Sequence, residues 1–277
     1  MASTTIQKRI ALINDLSGFG RCSLTVALPI ISAMKMQGCV IPTVILSAHT
    51  AYSNVFKDDY TDKLPEYIEN WKKLNITFDS IYIGYLGSDK QVPLLEQFIK
   101  FFKKDNTQIV VDPVMGDKGK LYSTYPISLA KSLINLVKLA DIITPNLTEA
   151  CYLLNIPYLG DNPDENTVKQ VVYDLHKLGP RYIVLTGIIY GNKLRNVVYE
   201  NNEIIYIDRE KIGEERHGTG DIFASVIVGE MVRNKSLKKA VESACNFVEK
   251  SIKYSIQLGV PNKEGACFEE FLYELAE

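Results

Sequence analysis

The chain has 277 residues, 46% of them hydrophobic, which suffices for the core of one large α/β domain. Thirty-one Lys and Arg against 33 Asp and Glu leave a formal charge of −2, without the basic excess of a nucleic-acid-binding protein. Five cysteines stand singly with no CxxC pair, the pattern of free thiols in a reducing compartment rather than of disulfides or a metal site.

Lys8 and Arg9 precede an apolar run of only four residues, 10–13, too short for a signal-peptide core, and no later run is long enough for a membrane helix. A soluble, cytoplasmic protein is expected. The same run is the first predicted strand. Others follow at 40–46, 81–85, 109–111, 142–144 and 183–186, apolar throughout as in parallel strands buried on both faces. Between them, Leu94, Leu95, Phe98, Ile99 and Phe102 keep helical spacing, and so do Leu129, Leu133, Ile134 and Val137. Asn201-Asn202 separates two β-branched runs and predicts a hairpin. Helical patterns then cover 221–233 and 237–254, with a short one from Phe268. No linker divides the chain, so one domain over 1–277 is expected. This rhythm predicts an α/β fold with a mostly parallel central sheet and helices on both faces.

Ligands of such sheets bind beyond the carboxyl ends of the strands, and there the sequence turns polar and glycine-rich. Gly218-Thr219-Gly220-Asp221 opens a predicted helix, where glycines and unpaired N–H groups favour an anion. Asp221 beside that anion hole suits a general base, or else it is an ordinary N-cap. Asn146-Leu147-Thr148-Glu149 reads first as a capping box, and a second, compatible reading makes Glu149 a carboxylate near hydrated magnesium. Asp112 and Asp117 flank Pro113-Val114-Met115-Gly116, either a turn or two carboxylates sharing a cation. His49, Thr50 and His217 lack metal-ligand spacing. Tyr85 is a core aromatic or a platform for a flat ligand. Two rival motifs fail. The loop beginning Gly18-Phe19-Gly20 has Ser23 as its third glycine position and no acid about 20 residues on, and the lysines after Gly116 lack P-loop spacing.

Taken in order, these segments resemble the ribokinase-like superfamily and, within it, the pyridoxal, pyridoxine and pyridoxamine kinases of vitamin B6 salvage. The matching pieces are Ser47-Ala48-His49-Thr50, Gly84-Tyr85-Leu86-Gly87-Ser88, the segment from Asp112 to Asp117, the segment from Thr144 to Glu149, Leu185-Thr186-Gly187 and Gly218-Thr219-Gly220-Asp221. They span nearly the whole chain. The resemblance implies a ribokinase-like fold and transfer of the γ-phosphoryl group of ATP to the 5′-hydroxymethyl group of a B6 vitamer. It implies Asp221 as base with Gly218, Thr219 and Gly220 as anion hole, and Asp112, Asp117 and Glu149 around Mg2+. It places Asn146, Thr186, Gly218 and Thr219 at the nucleotide, and Asp15, Ser17, His49, Thr50 and Tyr85 at the small-molecule substrate. It further implies potassium as a helper cation and a homodimer, with no nucleic-acid or membrane partner.

One departure stands out. The better-known B6 kinases have Ser where this chain has Asp15, whose loop resembles the branch called pyridoxamine kinase. An acid there is expected to favour the ammonium group of pyridoxamine, unless Asp15 only caps the turn or the helix starting near Ser23. The rivals are a hydroxymethylpyrimidine or sugar kinase of the same superfamily and a non-catalytic vitamer-binding protein. Pyrimidine kinases commonly carry Cys in place of Asp221, and sugar kinases add a lid that the short hairpin near Asn201 does not resemble.

Overall fold

Strands and helices alternate through the computed structural model, which describes residues 7–123 and 125–276. The first half runs β1 (Arg9–Ser17), α1 (Ser23–Ala33), β2 (Gln37–Leu46), β3 (Lys57–Asp59), α2 (Leu64–Lys73), β4 (Ser80–Ile83), α3 (Gln91–Phe102) and β5 (Gln108–Val111). A small hairpin, β6 (Gly116–Asp117) and β7 (Lys120–Leu121), precedes α4 (Ile127–Ser132), α5 (Ile134–Val137), β8 (Ile142–Ile143), α6 (Leu147–Leu154) and α7 (Glu165–Lys177). Three longer strands, β9 (Tyr182–Tyr190), β10 (Lys193–Glu200) and β11 (Glu203–Glu210), lead into α8 (Thr219–Val232) and α9 (Leu237–Gln257). A 3-10 segment, Glu269–Ala276, stands where the last short helix is expected.

Every expected strand is present. The expected helix over 129–137 is instead two short ones meeting at Leu133. The Leu129 carbonyl still accepts the Leu133 N–H at 2.9 Å and also takes the Ser132 hydroxyl at 3.0 Å, and the chain then tightens as the Leu136 N–H bonds the Leu133 carbonyl at 3.0 Å. In the 201–202 turn both asparagines take positive φ, 53° and 66°, the geometry that matches the twist of a two-residue hairpin.

Among the described residues one nine-stranded sheet forms, in the order β11-β10-β9-β8-β5-β4-β1-β2-β3. Pairing is parallel from β2 through β1, β4, β5 and β8 to β9, and antiparallel at both ends of the sheet. From β1 the chain goes outward to β2 and β3, then crosses back to β4 on the other side of β1. That reversal makes a crevice beyond the carboxyl ends of β1 and β4, where ligands of open α/β sheets bind.

The central strands are buried on both faces, and successive side chains enter opposite cores. Ala11, Ile13, Ile81, Ile83, Ile109 and Val111 face one apolar core, which α2–α7 cover. Ile10, Leu12, Tyr82 and Val110 face the other, with α1, α8 and α9. Helix α8 is buried without interruption from Ile222 to Val232, which fixes the angle at which its N-terminus meets the crevice. Among the described residues no helix is long and apolar enough to cross a membrane.

Candidate active site

Strand β1 is regular to Asn14, after which its register against β2 shifts before Leu16. The irregularity turns the Asn14 side chain into the crevice. Its Oδ1 accepts the backbone N–H groups of Tyr85 at 2.8 Å and Asp15 at 2.9 Å. With the oxygen so engaged, Nδ2 donates to Oδ1 of Asp221 at 3.4 Å. Gly84 makes room for this, since a Cβ built on it would lie 2.4 Å from Asn14 Nδ2.

Asp221 sits in the first turn of α8. The N-cap is not Asp221 but Gly218, at φ 72°, and no side chain caps this end. A Cβ on Gly218 would stand 1.8 Å from the Arg21 carbonyl oxygen, so only glycine fits. The N–H groups at this uncapped end and the helix dipole favour a negative charge beside the 218–221 turn. Asp221 is half-buried. Burial pushes its carboxyl up to about 7, the Ser23 backbone N–H opposes the rise, the charge of Asp15 adds to it, and Asn14 opposes it.

Asp112, at the end of β5, is buried and accepts from the Thr144 hydroxyl at 2.8 Å. Burial first and the charge of Asp221 second push its carboxyl well above the usual range, against the Thr144 bond. Glu149 closes the expected capping box. Its Oε2 accepts the Asn146 N–H at 2.8 Å, while Asn146 Oδ1 accepts the Glu149 N–H at 2.9 Å. Oε1 reaches back to the Met115 N–H at 3.1 Å. Burial and then the charge of Asp112 push Glu149 well up as well. Neither Asp112 nor Glu149 makes an ion pair among the described residues. Asn146 and Thr186 pair as an isolated parallel bridge.

Four expectations change. Asp117 is exposed on the β6–β7 hairpin, and among the described residues no three His, Cys, Asp or Glu side chains form a ready-made metal cage. A cation held by Asp112 and Glu149 would therefore rely on water for most of its shell. Asp15 is buried, with Ser17 Oγ donating to one carboxylate oxygen at 2.8 Å and Ser23 Oγ to the other. Asp15 thus ties β1 to α1 through Ser23, with Ser17 holding its other oxygen, rather than opening toward a substrate ammonium. Tyr85 is 9% exposed, packed in the core with its ring edge-on to Tyr125 at 5.9 Å between centroids. It is a core aromatic in this arrangement, not an open platform. Thr50 is exposed on a turn, whereas His49 is buried against Gly20 and bonded through Nε2 to the Lys263 carbonyl at 2.5 Å.

Sequence reasoning passed over Asn14. The available signal was a carboxamide closing an apolar strand immediately before Asp15, a buried position that demands polar partners.

Comparison with known proteins follows this geometry. The phosphomethylpyrimidine kinase family model matches residues 28–266. A pyridoxine kinase from Bacillus subtilis is 30% identical over 189 residues, 66% of this chain and 67% of that protein. A hydroxymethylpyrimidine/phosphomethylpyrimidine kinase from Aquifex aeolicus is 30% identical over 185 residues, 65% of this chain and 69% of that protein. A crystal structure from Bacteroides thetaiotaomicron, of a protein assigned to the phosphomethylpyrimidine kinases, is 38% identical with a TM-score of 0.95, covering 99% of this chain and 96% of that one. Its orthorhombic form, obtained with pyridoxal, gives a TM-score of 0.93 over 97% of this chain and 96% of that one.

Proposed function

From the premise that this chain belongs to the phosphomethylpyrimidine kinase family, and so to kinases that phosphorylate an alcohol, we propose that it phosphorylates the 5′-hydroxymethyl group of a B6 vitamer with ATP. The observation that carries this reading is Asp221. It is a carboxylate pushed up to about 7 in the first turn of α8, immediately after the glycine-bounded anion hole. In the proposed reaction Asp221 takes the hydroxyl proton, the alcohol oxygen bonds to the γ-phosphorus, and the bond to the bridging oxygen of ADP breaks. N–H groups of the 218–221 turn hold the charge on the transferred group. The vitamer is favoured by the pyridoxine kinase of Bacillus subtilis and by the Bacteroides structure obtained with pyridoxal.

Magnesium fits the donor set. Asp112 and Glu149 are buried, mutually repelling carboxylates, and magnesium asks for few carboxylates and keeps its waters. When bound it would neutralise phosphate charge. Asn146 and Thr186 would lie at the nucleotide. Potassium, a homodimer and a cytoplasmic location belong to the same proposal.

The second reading, a hydroxymethylpyrimidine kinase, draws on the Aquifex aeolicus relative at the same 30% identity. The deciding experiment measures ATP consumption with pyridoxal, pyridoxine, pyridoxamine and hydroxymethylpyrimidine in turn. A kcat/KM at least ~10-fold higher for one B6 vitamer than for the pyrimidine supports the first reading, and the reverse order overturns it.

A further inference from the structure

We propose that Asn14 is a positioning residue for Asp221, an inference that rests on the kinase reading above. Three features of the crevice converge on it. Asn14 is 1% exposed, so its amide must find partners within the protein. Two backbone N–H groups, from Tyr85 and Asp15, occupy its oxygen and leave the amide only one way round. The nitrogen side then faces Asp221 at 3.4 Å, in space left open by Gly84. Hydrogen bonds in unliganded catalytic sites are often this long and tighten once substrate binds.

The arrangement uses the sheet's reversal point. The Tyr85 N–H fixes the amide from the segment that follows β4, the Asp15 N–H fixes it from β1, and the amide hands that rigidity to a carboxylate on α8. Asp221 needs such a holder because Asp15 and Asp112 are acids that interact with it unfavourably, and Asn14 donates to its ionised form without adding charge. The Ser23 backbone N–H also stabilises the ionised carboxylate.

Asn14→Asp separates holding from mere scaffolding. The new carboxylate is isosteric and still accepts both backbone N–H groups, but in place of a donor it sets a second acid against Asp221, and two such acids share one proton. If Asn14 holds Asp221, kcat falls by ~10-fold or more while KM for ATP stays within ~2-fold. If Asn14 only braces β1 against β4, kcat is retained and the proposal is overturned. A stability cycle gives a readout independent of activity. Asn14→Asp should lower the thermal midpoint, and adding Asp221→Asn should recover at least half of the loss, because it restores a neutral donor opposite the acid. Strictly additive midpoints overturn the pairing. Should Asn14→Asp alone fail to fold, a folded Asn14→Asp/Asp221→Asn double variant supports the pairing, and an unfolded one overturns it. If the native chain consumes no ATP with any candidate alcohol, the kinase reading fails while the cycle still reports on the pair.

Discussion

Asp221 and Asp15 are two acids on either side of one crevice, and their surroundings give them different work. Asp221 is half-buried at an uncapped helix end, held by an amide and a backbone N–H, with its carboxyl pushed up to about 7. Asp221→Asn should therefore lower kcat by ~10²-fold or more, the usual scale for loss of a general base, with ATP affinity nearly unchanged. Steady-state kinetics at neutral pH checks this, and near-native turnover would reduce Asp221 to a helix-terminal acid. Asp15 instead has both oxygens taken by serine hydroxyls. Asp15→Ser should lower stability by ~1–3 kcal/mol as those hydroxyls lose their charged acceptor. Pyridoxamine and pyridoxine turnover should fall together. A selective loss of pyridoxamine turnover would show that Asp15 reaches the substrate after all.

Between strands and helices, the site is made by the ends of elements. Gly218 opens α8 at φ 72° with the Arg21 carbonyl where a side chain would go. Gly218→Ala must move the 18–21 loop or the helix end. Activity should fall by at least ~10-fold along with the thermal midpoint, as expected where alanine meets a positive φ. Retention of both would mean the turn has slack. At α6, Glu149 uses one oxygen for Asn146 and the other for Met115. Glu149→Gln keeps one acceptor and turns an NH2 toward the other N–H, so a modest stability loss of ~1–3 kcal/mol is expected. A raised magnesium requirement in activity titrations would mark Glu149 as a cation ligand as well, whereas an unchanged one would leave it a cap alone.

Elements with a strong local signature were legible: the β-branched runs, the asparagine hairpin and the capping box all specify their own backbone. Less legible were β3, three polar residues whose strand geometry comes from pairing with β2, and the break at Leu133, where the turn tightens without a glycine or proline to mark it. Among site residues, the glycines announce the turn that opens α8 from spacing alone, with Asp221 in its first turn. Whether Asp15 opens to substrate, whether Tyr85 shows a face, and that Asn14 reaches Asp221 depend on side chains brought together across 207 positions in the last case. No local pattern encodes those distances.

At the scale of the whole molecule, the sheet's reversal gathers acids that make no ion pair with Lys or Arg among the described residues, His49 alone lending Asp15 some opposing charge. Asp15, Asp112 and Glu149 are buried and Asp221 half-buried, and burial is the first cause of the rise in all four. The sign of the resulting pH dependence follows from proton counts. A carboxyl raised from 3.8 to about 7, as at Asp221, holds its proton in the folded chain over a range where the unfolded chain has released it. The folded state then binds more protons, so stability is full below the unfolded value and is lost as pH rises through the folded one. The Asp112→Asn/Asp221→Asn double variant lacks two of these groups. From pH 4 to pH 8 the native midpoint should therefore fall relative to that variant by ~5 °C or more, on the scale of ~2–4 °C per kcal/mol for chains of roughly this size. Magnesium supplies the missing positive charge on the proposed reading. Binding only the folded state, it should raise the native midpoint more at pH 8 than at pH 5, because its ligands must be ionised. The double variant should respond little. Thermal melts across pH with and without magnesium decide it. A midpoint difference that does not change with pH would mean that these acids titrate normally, and a magnesium response equal in both proteins would place the cation elsewhere.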